Sequence, residues 1–257
     1  MRGMSFDASR SSYDRYMGRY SNQLAHVFAD FAVVPADAKV LDVGCGPGAL
    51  TEVLATRTSG VAAADPSESF VVACGERVPD ADVRLAPAAQ LPWNDDSFDL
   101  VVSQLVLNFL PDADAGLREM SRVARPGATI AACTWDYRGR MQMLRTFWDA
   151  ALTLDPDAPG EQSTMPFCSQ DELVATWQAH GLRDITSADL EVSTTYDDFE
   201  EYWLPFTLGV GPGGAYATSL DAETLEQLKN ACFTQLGSPT ASFDLTAVAV
   251  AVRGRQP

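Results

Sequence analysis

Between Val40 and Trp135 short apolar runs recur, and most are followed by a turn and then a stretch whose apolar residues fall three and four positions apart. Apolar runs bounded by turn residues read as buried strands, and three-to-four spacing reads as one face of a helix. Strands are predicted around Val40–Val43 and at Val61–Asp65, Val83–Pro87, Phe98–Gln104 and Thr129–Trp135. Helices are predicted from Leu50, near Ser67–Val78 and near Asp112–Ala124. A polar loop follows Val83–Pro87, and Pro126-Gly127 reads as the turn between a helix and the fifth strand. Strands alternating with helices predict an α/β fold with a parallel sheet, right-handed crossovers and helices on both faces.

Beyond Trp135 the pattern is less regular. A helix is predicted over Arg140–Leu154 and a loop over Asp155–Gly160. Ser169–His180 opens with Ser169 as N-cap and Glu172 three positions on, a capping box, and Gly181 stops it. A strand lies within 183–195, a helix starts near Asp197, and Phe243–Arg253 is β-rich. Two regions exceed what a sheet needs: the aromatic, basic arm Tyr13–Ser21, and insertions around 137–165 and 196–220. These are expected to cover the carboxyl ends of the strands, where ligands of open α/β sheets bind, and to exclude water there. Gly209–Gly214 reads as a hinge or lid turn: no lysine follows it and no strand precedes it, as a phosphate loop would need.

The segment Lys39-Val-Leu-Asp-Val-Gly-Cys-Gly-Pro-Gly-Ala-Leu50 joins a buried strand to a helix through a glycine-rich turn. Glycines there let the chain turn tightly, admit a ligand close to the backbone and leave helix N–H groups facing it. Asp42, inside the strand, suits a ligand carrying an ammonium and a sulfonium and is poorly placed beside a pyrophosphate. Asp65 ends the second strand 21 positions after Gly44, where a carboxylate can accept from both hydroxyls of a ribose. Together with Ala88–Trp93, Asp95–Ser103 and Leu117–Gly127, these segments resemble, in order, the motifs of the class I S-adenosylmethionine-dependent methyltransferases. Within that family the likeness is to bacterial small-molecule enzymes of the ubiquinone and menaquinone methyltransferase type. It covers residues 10–136 well and the rest in outline.

That resemblance implies a Rossmann-like, doubly wound, seven-stranded and mostly parallel sheet, with an antiparallel C-terminal strand between the fifth and sixth and with helical lid insertions. It implies one domain over 1–257: an N-terminal helical arm (1–36), a cofactor-binding core (37–136), core elements with substrate-lid insertions (137–220), and a C-terminal helix and last strand (221–257). It also implies S-adenosylmethionine as cofactor, held by Arg19, Asp42, Gly44, Cys45, Gly46, Asp65, Pro66, Ala88, Ala89 and Gln104. Arg19 would meet the methionine carboxylate and Gln104 the methionine portion. Pro87 stands where the family usually places an Asp that accepts from the adenine amino group, so the N–H of Ala88 or Ala89 is left to contact the ring.

Composition narrows the partners. Net charge is −17, from 18 basic and 35 acidic residues, against the basic face that nucleic acid or an anionic membrane requires. A small-molecule acceptor is therefore expected. No run approaches the roughly 20 apolar residues that cross a bilayer, and Met1–Asp7 lacks the apolar core of a signal peptide, so a cytoplasmic protein is expected. Five scattered cysteines, none in a C-x-x-C pattern, suggest neither disulfides nor zinc. Cys45 reads as a small buried thiol under the cofactor.

Methyl transfer to an aromatic or polyketide-like acceptor, at oxygen or carbon, would rest mainly on proximity and alignment. No general base is evident: His180 falls at a helix end and His26 in a helix-like segment. Asn108 sits where relatives carry a polar ring and is the candidate catalytic residue; Tyr20, Trp135, Tyr137, Trp203 and Phe206 are the candidate acceptor contacts. The alternative is a protein of this fold that binds the cofactor and performs cyclisation, decarboxylation or regulation. A nicotinamide-dependent oxidoreductase is disfavoured by Asp42 and by the lack of a lysine near Tyr13 or Tyr16.

Overall fold

The computed structural model describes residues 17–161, 165–209 and 211–257; the start of the Tyr13–Ser21 arm, with Tyr13, Asp14 and Tyr16, lies outside them. Helix α1 is Arg19–Ala32. The alternating region then runs β1 (Lys39–Val43), α2 (Ala49–Ala55), β2 (Gly60–Asp65), α3 (Glu68–Arg77), β3 (Asp82–Leu85), β4 (Phe98–Gln104), α4 (Ala113–Val123) and β5 (Ala124–Trp135). It is followed by α5 (Gln142–Leu154), α6 (Gln170–Ala179), β6 (Arg183–Tyr196), α7 (Phe199–Trp203), α8 (Gly211–Ser219), α9 (Ala222–Gln235) and β7 (Phe243–Arg255).

The seven strands form one sheet in the order β3-β2-β1-β4-β5-β7-β6. The first five pair in parallel, and β7 runs antiparallel to β5, from Thr129 opposite Arg255 to Trp135 opposite Ala249. β1 is buried at four of its five positions, as expected of a central strand covered on both faces. The order reverses between β2 and β4 on either side of β1, which is the topological switch point where such sheets bind ligands. No helix among the described residues is long and apolar enough to cross a membrane.

Contacts divide the chain into two compact units. One comprises Ser21–Trp135, Pro166–Leu190 and Ala249–Pro257, so it holds β1–β5. Its core packs Leu41, Val101 and Ile130 with Leu117, Met120, Trp177 and Val252. Trp177 Nε1 donates to Ile130 O at 3.1 Å, which satisfies the one polar atom of a fully buried ring. Gly254 makes room for it, since a Cβ there would lie 2.9 Å from Trp177 Cδ1. The other unit comprises Met1–Tyr20, Asp136–Met165 and Glu191–Val248. It is built on the apolar face of α5, where Phe147 stacks on Phe206 with centroids 4.3 Å apart.

Several boundaries move. β3 ends at Leu85 and not at Pro87: proline has no N–H to extend a ladder, and the last inter-strand bond is Ala86 N to Asp65 O at 3.0 Å. Pro126-Gly127 does not turn the chain ahead of β5. The strand begins at Ala124, and Gly127, at φ +80°, forms a bulge whose N–H donates to Gln256 O at 3.0 Å. Gly211–Ser219 is a helix and not a hinge turn; Gly214 faces Gly209, where a Cβ would fall 2.8 Å from the Gly209 carbonyl carbon. Ser169 caps α6 by accepting from Glu172 N at 3.3 Å, but the Glu172 carboxylate reaches back to Cys168 N at 2.8 Å, one residue earlier than a capping box would.

Candidate cofactor site

β1 carries Asp42 into the sheet interior, where the residue is 1 % exposed. One oxygen accepts from Thr51 Oγ1 of α2 at 2.7 Å, and Oδ1 is buried without a hydrogen-bond partner. Burial, opposed by the Thr51 bond and reinforced by the nearby Asp65 charge, pushes the Asp42 carboxyl up to about 7. A buried oxygen with a lone pair to spare and a charge this costly to hold is an acceptor waiting for a donor or a cation.

The turn after β1 is tied to β2. Gly44 N and Cys45 N both donate to Ala64 O, at 2.7 and 3.0 Å, and Gly46 N donates to Asp65 Oδ2 at 2.9 Å. The loop amides therefore shape the loop itself. At the start of α2 the first backbone bond to the preceding turn is Glu52 N to Gly48 O, at 2.9 Å; earlier helix amides point out of the helix end. The glycines serve different ends. A Cβ on Gly44 would lie 2.4 Å from Val106 Cγ2, whereas one on Gly46 meets nothing within 4 Å. Space for a ligand is over Gly46.

Asp65 closes β2, with Oδ1 accepting from Ser67 N at 2.9 Å and Oδ2 from Gly46 N. Burial raises its carboxyl while these two amides oppose the shift. Each oxygen keeps a second lone pair. Pro66 follows, exposed. Ala88 is buried and Ala89 exposed, in a turn closed by Gln90 N to Pro87 O at 3.0 Å. Gln104, at the end of β4, donates through Nε2 to Ser21 O at 3.1 Å, and its Oε1 is buried without a partner. Asn108 lies in a short 3-10 turn, Leu107–Phe109, 8 % exposed, and Trp135 is buried at the end of β5. All of these belong to the unit that holds the parallel strands, at or just beyond their carboxyl ends.

Cys45 is buried beside Cys74 and Ala63. Its bond to the Cys74 thiol, together with burial, pushes the Cys45 thiol well up, so it is not poised as a thiolate nucleophile. The remaining candidates lie in the other unit. Arg19 forms an ion pair with Glu201 and sits 4.3 Å from the Tyr196 ring centroid, and the Tyr20 and Tyr196 hydroxyls share a hydrogen bond at 3.1 Å. Trp203 and Phe206 pack on Phe147 inside that unit's own core, and Tyr137 is buried just after β5. His180 caps the end of α6 and bonds Asp114 at 3.1 Å. The sequence reading missed Thr51, the partner of Asp42; its one signal was a polar residue inside the apolar face of α2.

Residues 41–132 match a family model described as a methyltransferase domain. A demethylmenaquinone methyltransferase of Clavibacter sepedonicus is 36% identical over 136 residues, 50% of this chain and 55% of that one. A trans-aconitate 2-methyltransferase of Variovorax paradoxus is 31% identical over 49% of each. The matched segments thus span about half the length of these relatives. Among solved structures, a protein of Anaeromyxobacter dehalogenans proposed to be a type II methyltransferase superposes with a TM-score of 0.65 at 24% identity, over 91% of this chain and 95% of that one. The ordered motifs, the sheet with its antiparallel β7 and the domain matched over residues 41–132 make this chain similar to the class I S-adenosylmethionine-dependent methyltransferases.

Proposed function

We propose that the protein transfers a methyl group from S-adenosylmethionine to a small-molecule acceptor, and that the acceptor is an aromatic or polyketide-like metabolite methylated at oxygen or carbon. The observation that carries the cofactor assignment is the partnerless Oδ1 of Asp42, buried in β1 at the switch point, with open space over Gly46 in the turn that follows. A second buried acceptor without a partner, Gln104 Oε1, ends β4. Two acceptors, one on a carboxylate, fit a ligand that brings an ammonium and a sulfonium, and would repel a pyrophosphate.

S-adenosylmethionine supplies an already activated methyl, so no catalytic acid is needed. The chain's part is to bind and to align. Asp42 accepts from and neutralises the cationic end, Asp65 offers its remaining lone pairs to the ribose hydroxyls, and the Ala88 and Ala89 amides take the adenine edge in place of the carboxylate that Pro87 displaces. Asn108 donates or accepts without titrating and orients the acceptor. Alignment of this kind contributes up to about 7–11 kcal/mol in well-oriented reactions. The charge of −17 supports a small-molecule acceptor over nucleic acid or an anionic membrane.

Calorimetry with S-adenosylmethionine, S-adenosylhomocysteine and NAD tests the assignment. Binding of the first two but not NAD is expected; binding of NAD alone would overturn it. Methyl transfer to phenolic and polyketide panels then tests the acceptor.

A further inference from the structure

Glu161 is a buried acid that the cofactor site does not use. It belongs to the unit containing α5 and is 3 % exposed. Oε2 accepts from Trp148 Nε1 at 2.7 Å, and among the described residues no hydrogen bond to the second carboxylate oxygen is formed. Among the described residues of that unit, Arg19 pairs with Glu201, Arg140 with Asp136, Arg145 with Asp149 and Lys229 with Glu200. Two other buried acids, Asp65 and Asp136, are better provided for. Asp65 accepts from two amides, and Asp136 accepts from Arg140 and from Arg138 N. A carboxylate held by one neutral donor is costly to bury, and in a native structure calls for a compensating partner.

The surroundings say which kind. The Trp148 ring lies against Phe147, with centroids 5.1 Å apart, and against Tyr216 at 5.5 Å. Trp148 meets the carboxylate through its N–H edge, and a carboxylate at the margin of an aromatic cluster favours an organic cation that carries apolar surface. We propose that Glu161 and Trp148 form a binding site for a protonated amine on an aromatic or apolar small molecule, the ammonium donating to the second oxygen of Glu161 while the indole N–H holds the carboxylate in place. The site lies in one unit and does not depend on the methyl-transfer reading.

Burial, opposed by the Trp148 bond, pushes the Glu161 carboxyl up to about 7, and a bound ammonium must pull it back down. Among the described residues, Tyr216, raised by burial, packs on Trp148 and donates to Asp155 at 3.4 Å, and Arg145 and Asp149 of the same helix pair with each other. The test is NMR of the protein with ¹⁵N-labelled indoles, whose five tryptophan signals are sorted by Trp148→Phe. Benzylamine at pH 8 is expected to shift the Trp148 signal saturably, with a Kd of ~1–10 mM as befits a fragment, and benzoate to leave it unmoved. Saturating benzylamine is expected to lower the midpoint of the signal's pH titration by about one unit. Glu161→Gln is expected to flatten that titration and weaken benzylamine by roughly tenfold or more, with the other four indole signals in place as the check on folding. If benzylamine moves neither the Trp148 signal nor its midpoint, or binds Glu161→Gln as tightly as the wild type, the assignment is wrong. Calorimetry with the cofactor reads the other site independently, so the two assignments fail separately.

Discussion

Asp42 is where a single residue decides most. Its carboxyl ionises near pH 7 because burial opposes the charge, whereas a cationic ligand favours the charge. Binding must therefore expel a proton when the pH lies below about 7. Cofactor affinity is expected to be flat above that value and to fall below it, by at most about tenfold per pH unit. Asp42→Asn should bind weakly with no such dependence, and calorimetry between pH 5.5 and 8.5 reads both; a wild-type affinity indifferent to pH would remove Asp42 from the ligand. The glycines make a matched pair of tests. Gly44→Ala puts a Cβ 2.4 Å from Val106 at φ +76° and should lower stability by ~2 kcal/mol or more, through backbone strain and overpacking together. Gly46→Ala meets open space and should cost stability ~1 kcal/mol from its φ of +53° alone, while losing cofactor affinity as the larger effect. Urea melts and calorimetry on both variants separate the two; wild-type cofactor affinity in Gly46→Ala would mean the space over Gly46 is not where the ligand lies.

At the scale of elements, caps and strands were legible because their signals are local. Ser169 and Gly181 bracket α6, and Ser169→Ala is expected to cost ~1 kcal/mol in a urea melt. Removing the Glu172 carboxylate should cost less, since it accepts from Cys168 N outside the helix proper. The central strands showed as apolar runs because they are covered on both faces. What the sequence hid depends on distant partners. Pro126-Gly127 has a turn's chemistry, yet pairing of Gly127 N with Gln256 O, from the far end of the chain, holds it in the sheet. Gly211–Ser219 opens with helix breakers, yet becomes a helix in which Gly214 lets two backbone segments meet. The site divides the same way. Asp42, Asp65 and the glycines were readable from a strand-turn-helix pattern. Thr51 was not, because nothing local marks a threonine hydroxyl as the partner of an acid nine residues back. Nor was Glu161, one acid among 35 until burial singles it out.

For the whole molecule, these buried acids set how stability depends on pH. Asp42 and Glu161 are each pushed up to about 7, and Asp65 is raised as well. An acid whose folded value lies above its unfolded value binds more protons when folded. Its stabilising contribution is complete below the unfolded value near 4 and is lost as the pH climbs through the folded one. The carboxyls of Asp82, Asp99, Glu119, Glu201 and Asp221 are shifted downward instead, so their contribution fades only on acidification below about 4. Between about pH 4 and 7 the raised acids decide the sign: the unliganded protein is expected to lose stability steadily as the pH rises across that window and to level off above it. The net charge of −17 pushes in the same direction, because acidification relieves self-repulsion, but the two causes answer differently to salt. Surface repulsion is screened within about 8–10 Å at moderate ionic strength, and buried charges far less. Urea midpoints taken from pH 4.5 to 8 should therefore keep most of their slope in high salt, and Asp42→Asn should remove part of it. A slope that vanished in high salt and survived in Asp42→Asn would belong to the acidic surface, and Asp42 would then not be the costly buried charge on which the cofactor assignment rests.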